Sequence, residues 1–137
     1  MAKLKFGSAE WTQALHNELN ASPAYEEAAK NWEGDFYFIV EPDGPITQTV
    51  HMYMDLWHGK SREAKLVQDP QEKNPAFIMS GKYGKWKQVV LAKLDPIQAL
   101  MTGQLKLKGN MAMVMKNVKA AQEIVRACTR IDTEFEM

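Results

Sequence analysis

The residues in this chain whose types could do chemistry are few and scattered. There are three histidines, at 16, 51 and 58, and a single cysteine, Cys128. His51 and Asp55 share one face of an apparent strand, but four residues of strand separate them by roughly 13 Å. That spacing forbids a direct hydrogen-bonded dyad. His58 borders a turn glycine, and His16 lies on a helical stretch with no partner at metal-ligand spacing. No HExxH, CxxC or triad-like arrangement is present, so the sequence offers no catalytic or metal-binding set. A lone cysteine excludes an internal disulfide and fits a reducing, cytoplasmic setting. Its place beside Ile124 and Val125 in a helical pattern reads as a buried thiol.

Phosphate chemistry fares no better. Gly81, Gly84, Gly103 and Gly109 spell neither GxGxxG nor GxxxxGK[ST]. Gly103 reads as a helix C-cap, and Gly109 as a strand-to-helix turn. The helix start after Asn110, flanked by Lys108, is a weaker candidate for holding an anion.

The methionines are more informative. Met101, Met111, Met113 and Met115 fall within fifteen residues, and on a helix Met111 and Met115 share a face while Met113 points away. Met52 and Met54 alternate toward the same interior from a strand. Methionine is unbranched and fills irregular space, so such a set suits either an ordinary core or a site for guests of varied shape.

These side chains need elements to hold them. Ser8 and the stripe Trp11, Leu15 and Leu19 predict a first helix, and Ser22-Pro23 caps a second. Tyr25, Ala28, Ala29 and Trp32 line that second helix, with Gly34 ending it. Strands are expected at DFYFIVE (35–41), at Gln48–Trp57, around Arg62–Gln68 and at AFIMS (76–80). Along the second strand Val50, Met52, Met54 and Leu56 face one way, with His51, Tyr53 and Asp55 on the other face. The stretch 69–75 is a loop by composition. A helix carrying Trp86, Val89, Val90 and Leu94 follows, then a short helix capped by Asp95-Pro96 and ended by Gly103. Gln104–Lys108 alternates as an edge-like strand. Asn110 caps a helix from Met111 through Val118, and Lys119–Arg130 forms the last, with Val118, Ala121, Ile124, Val125 and Cys128 as its apolar face.

Helices, then hairpin-connected strands, then helices with one inserted strand make an α+β domain on a mainly antiparallel sheet. The 137 residues read as one such domain, 1–137, of soluble composition, with 45% hydrophobic and 25% charged residues. No run of eighteen apolar residues predicts a membrane span, and the N-terminal stretch lacks the apolar core of a secretion signal. Net charge is zero, yet residues 1–68 carry six Lys/Arg against ten Asp/Glu, while residues 69–137 carry eleven against seven. Such a field can attract an anionic head group or an acidic membrane surface. Scarce arginine and the lack of a recognition motif argue against nucleic acid.

The run DPIQALMTGQLKLKGNMAMVMK, Asp95–Lys116, resembles the signature of the sterol carrier protein type-two family in its compact bacterial and archaeal form. The preceding SGKYGKWKQVVLAKL is similar to the helix that family places there, although Gly81 and Gly84 are unusual at its start. The likeness is specific over 76–118 and architectural over 35–68. It implies a five-stranded sheet covered by helices and enclosing an apolar cavity or tunnel. It further implies non-covalent binding of sterols, fatty acids, fatty acyl-CoA or other lipids, with no cofactor, no metal and no catalytic residue. Carried onto this chain, the cavity would be lined by Phe38, Val50, Met52, Met54, Leu56, Trp86, Met101, Met111, Met115 and Ile124. Lys106, Lys108 and Lys116 would meet a head group or an anionic membrane. The chain ends without the peroxisomal signal of the eukaryotic members, so a peroxisomal role is not expected. The alternative is an accessory subunit or an enzyme acting on a lipid, quinone or CoA-linked substrate, with His51, Tyr53 and Asp55 as the residues to test and a partner enzyme implied.

Overall fold

The structure, a computed structural model, describes residues 3–135; the outermost residues of the expected domain, 1–2 and 136–137, lie outside the described part. In chain order the elements are β1 (Leu4–Lys5), α1 (Ala9–Asn20), α2 (Pro23–Ala28), β2 (Glu33–Glu41), β3 (Val50–Trp57), β4 (Lys60–Val67) and β5 (Phe77–Lys82). Then come α3 (Tyr83–Val90), α4 (Pro96–Met101), β6 (Lys106–Lys108), α5 (Met111–Lys116), α6 (Val118–Thr129) and β7 (Thr133–Glu134).

The main sheet has five strands in the order β4-β3-β2-β5-β6. Neighbours pair antiparallel except β2 with β5, which run parallel. The fold is therefore α+β on a mostly antiparallel sheet. The parallel pair follows from the chain path: β3 and β4 zip onto one side of β2 as hairpins, and the loop after β4 returns the chain to the other side. A second, two-stranded parallel sheet joins β1 to β7 and clasps the first and last described segments.

Helix starts follow the capping chemistry. The Ser8, Ser22 and Asn110 side chains accept hydrogen bonds from the amides of Trp11, Tyr25 and Met113. Asp95 accepts from both Ile97 and Gln98. Three boundaries differ most from the sequence pattern. Helix α3 ends at Val90, leaving Leu94 outside it. Helix α2 stops at Ala28, so Trp32 lies in the following turn, and Gly34 begins a strand instead of ending a helix. Within that strand position 34 requires glycine for close packing: a Cβ there would stand 2.6 Å from the Phe77 ring. The expected helix 111–118 breaks at Asn117, whose side-chain amide donates to the Met113 carbonyl at 2.7 Å and closes the turn.

Alternation on the strands sorts the sheet into two faces. On one, Phe36 stacks with Phe38, Phe77 and Trp32, and Trp32 also meets Phe77 at a tilt, ring centroids 4.8–5.7 Å apart. This face, with Met52, Met54, Leu56 and Met79, packs under the helices as the principal core. On the other, Tyr37, Tyr53 and Val67 form a small second cluster. The loop between β4 and β5 covers it: the Lys73 amide donates to the Tyr37 hydroxyl, which donates to the Pro70 carbonyl, each at 3.0 Å.

Candidate functional site

Between the inner sheet face and the helices lies an apolar void of about 100 Å3. The sheet contributes Phe36, Phe38, Met52, Met54, Leu56 and Met79, all inward-facing by strand alternation. Helix α1 and the turn before it add Phe6, Trp11, Thr12 and Leu15; α2 adds Tyr25, and the turn after it Trp32. The opposite wall is Trp86, Val89 and Val90 from α3, Pro96 and Ile97 from α4, Val114 from α5, and Ala120, Ala121, Ile124, Val125 and Cys128 from α6, with Asn117 at the α5–α6 break. No Lys, Arg, Asp, Glu or His lines it among the described residues.

The polar atoms at this wall are mostly committed elsewhere. The indole N–H of Trp11 donates to the Thr133 hydroxyl, that of Trp32 to the Gly34 carbonyl, and that of Trp86 to the Ile39 carbonyl, at 2.9–3.0 Å. The Thr12 hydroxyl donates to the Ser8 carbonyl at 2.9 Å. Burial pushes the Cys128 thiol up to about 12, so it stays protonated and unreactive. The site presents chiefly hydrocarbon and aromatic faces, and its ionisable groups among the described residues, the Cys128 thiol and the Tyr25 phenol, are kept protonated by burial.

Of the residues carried over from the family pattern, Phe38, Met52, Met54, Leu56, Trp86 and Ile124 line this void. Four do not. Val50 is half-buried at the start of β3, paired with Val40, and packs on the core from its margin. Met101, Met111 and Met115 point outward, 73%, 40% and 42% exposed. The cause is the shortness of their helices: α4 and α5 have six residues each, and their inner faces are taken by Ile97 and Leu100 and by Val114. Most of the wall was left out of the sequence reading, including five aromatic residues: Phe6, Trp11, Tyr25, Trp32 and Phe36. The stripe of α1 and the apolar face of α2 pointed to Trp11 and Tyr25 as core, and only their nearness to the sheet makes them wall.

Lys106 and Lys108 sit exposed on the edge strand β6, and Lys116 is exposed at the end of α5. None of the three makes an ion pair among the described residues. The histidines and their neighbours stand apart from the void. His16 pairs with the Ser61 hydroxyl at 2.7 Å, and His58 bridges the Lys30 carbonyl and the Glu33 carboxylate at 2.7 and 2.6 Å. His51, Tyr53 and Asp55 occupy the opposite sheet face: His51 abuts Tyr37, Tyr53 donates to Asp35 at 2.8 Å, and Asp55 pairs with Arg62 at 3.1 Å. None of them reaches the void. Among the described residues no group of three or more His, Cys, Asp or Glu could hold a metal ion, and no helix is long and apolar enough to cross a membrane.

Comparison with known proteins agrees with this architecture. A crystal structure of sterol carrier protein 2 is 35% identical, superposes with a TM-score of 0.84, and is matched over 93% of this chain and 99% of that one. The solution structure of a conserved hypothetical protein from Thermus thermophilus, described as possibly a sterol carrier protein, is 34% identical with a TM-score of 0.86, over 98% of this chain and 94% of that one. Hydroxysteroid dehydrogenase-like protein 2 of Xenopus tropicalis is 29% identical over 91 residues, which is 66% of this chain but 20% of the relative's length. The model of the SCP-2 sterol transfer family matches residues 13–122. The chain therefore belongs to the SCP-2 sterol transfer family.

Proposed function

We propose that the chain binds one hydrophobic molecule in the void between sheet and helices and carries it without covalent chemistry. The observation that carries this reading is the wall: a void lined by aromatic and aliphatic side chains, with no Lys, Arg, His, Asp or Glu on it among the described residues. Its setting in an SCP-2 family fold supports the same reading. Fatty acids, fatty acyl-CoA and sterol-like or other lipids are the proposed ligands.

Size sets a condition. A dry cavity of roughly 150 Å3 is known to take a benzene-sized guest, and the void here is about 100 Å3. A lipid chain must therefore push the wall outward. Met52, Met54 and Met79 give the sheet side adaptable thioether chains for this. Each methylene taken from water contributes about 0.8 kcal/mol, so ten carbons supply ~8 kcal/mol before the costs of ordering. An anionic head would remain outside, where Lys106, Lys108 and Lys116 are the proposed contacts, as they are for an acidic membrane surface.

Trp11, Trp32 and Trp86 line the void and make intrinsic fluorescence the natural assay. Titration with aliphatic ligands should give a saturable, one-to-one spectral change. A purified protein that shows no saturable response to alkanes, fatty acids, acyl-CoA or sterols would sink the carrier reading.

The match to a hydroxysteroid dehydrogenase-like protein over a fifth of its length favours a second, related proposal: the carrier works beside an enzyme that transforms the ligand. With His51, Tyr53 and Asp55 on the far face of the sheet, that chemistry is assigned to the partner enzyme. Activity from the isolated chain on any lipid, quinone or CoA substrate would contradict this assignment.

A further inference from the structure

One polar group on the wall has no partner. Tyr25 is 1% exposed and lines the void. Its backbone is fully engaged, the amide donating to Ser22 and the carbonyl accepting from Ala29, but its hydroxyl makes no hydrogen bond among the described residues. Every fully occluded side-chain nitrogen or oxygen among those residues does have a partner, so the Tyr25 oxygen keeps a sliver of accessible surface. With Tyr25 on the wall of the void, we infer that this sliver faces it. Burial raises the phenol's pKa well above its ordinary value, and no hydrogen bond offsets it, so the hydroxyl keeps its proton throughout the physiological range.

A buried, unpartnered hydroxyl in an otherwise greasy site costs stability unless something completes it. The other polar side chains on the wall are poorer candidates. The Thr12 proton is spent on Ser8, and Asn117 is half-exposed with its amide committed to Met113. No cation lines the void to neutralise a carboxylate or phosphate at this depth.

Resting on the carrier reading above, we propose that the Tyr25 hydroxyl anchors the ligand by hydrogen bonding to a neutral oxygen, an alcohol or a carbonyl, borne on the end of the molecule seated inside. The ligand is thus an oxygenated neutral lipid or one with such an oxygen in its buried part. Where the ligand carries a charged group, that group lies at the opposite, outer end.

The test compares decane with 1-decanol on the wild-type chain and on Tyr25→Phe, read by tryptophan fluorescence. The substitution keeps the ring and removes only the oxygen. Affinity for 1-decanol should fall fivefold to tenfold, the worth of about one net hydrogen bond, while decane affinity stays within about twofold. The unliganded variant should melt no lower than wild type, because an uncompensated hydroxyl has gone. Unchanged 1-decanol affinity, or equal losses for both ligands, would overturn the anchor and leave the carrier reading standing. A melting point several degrees lower would also overturn it, by revealing a protein partner for the hydroxyl. Failure of both ligands to bind either protein would overturn the carrier reading and the anchor with it.

Discussion

Replacing Met54 with alanine separates a ligand site from a solid core. Met54 is 1% exposed and lines the void, and Leu19 is equally buried but does not line it. Removing the methionine atoms beyond Cβ forfeits roughly 2.4 kcal/mol of transfer energy, at ~0.8 per methylene-sized group. Incomplete collapse adds up to ~2 kcal/mol, so the net loss is about 3–4 kcal/mol, inside the range measured for Met→Ala at buried sites. For a chain of this size that lowers the melting temperature by roughly 10–15 °C. Leu19→Ala should cost about as much. The two variants part company on adding decane. A ligand at a hundredfold excess over its Kd returns about 2.7 kcal/mol. Met54→Ala, with a larger void, should bind decane more tightly than wild type and recover more of its lost melting temperature. Leu19→Ala should show only the wild-type shift. Thermal unfolding by circular dichroism, with and without decane, reads all three proteins. If decane raises Met54→Ala no further than Leu19→Ala, the void is not a binding site and the reasoning fails.

Other expectations concern the frame around the site. His58 gains hydrogen bonds to the Lys30 carbonyl and then to Glu33, which raise its pKa above the ordinary histidine value. Its stabilising effect is therefore fully present below about pH 6.5 and fades as pH rises through the raised value; the melting gap between wild type and His58→Ala should shrink across that window, and a gap that widens would contradict it. Asp35 accepts from the Tyr53 hydroxyl and the Ala76 amide, both at 2.8 Å. Asp35→Ala should cost about 2 kcal/mol in urea unfolding while leaving decane affinity unchanged, since the outer face is separate from the void. Cys128, with its thiol pushed up to about 12 by burial, should react with thiol reagents at neutral pH only at the rate of unfolding. Gly59 has φ +80°, and an added Cβ would meet the Glu26 backbone at 2.6 Å; Gly59→Ala should cost about 2–4 kcal/mol, measured by denaturant unfolding.

The strands were the most legible part of the chain, because one buried face imposes alternation. Met52, Met54 and Leu56 went inward and Tyr53 outward for that reason. Caps at Ser8, Ser22, Asp95 and Asn110 were legible too, since each side-chain oxygen satisfies amides that the helix leaves bare. What the pattern could not supply was long-range geometry. The parallel β2–β5 pair depends on which side of β2 the returning chain lands. The outward turn of Met101, Met111 and Met115 depends on helices of six residues, where one inner position, such as Val114, already satisfies the core. A helical run of apolar side chains states a spacing and leaves the choice of face to the neighbours. The aromatic wall, Trp11, Trp32 and Phe36, was visible as core material, and its role at the void emerged only when α1 and the turn after α2 were laid over the sheet.

The methionines provide the most direct test of the central claim. Three of them, Met52, Met54 and Met79, line the void, and three, Met101, Met111 and Met115, are exposed. With the methionine methyls labelled with carbon-13, nuclear Overhauser contacts from bound decane should reach the first three and skip the second. Contacts confined to Met101, Met111 and Met115, with none to Met52, Met54 or Met79, would place the ligand on the outside and contradict an internal carrier site.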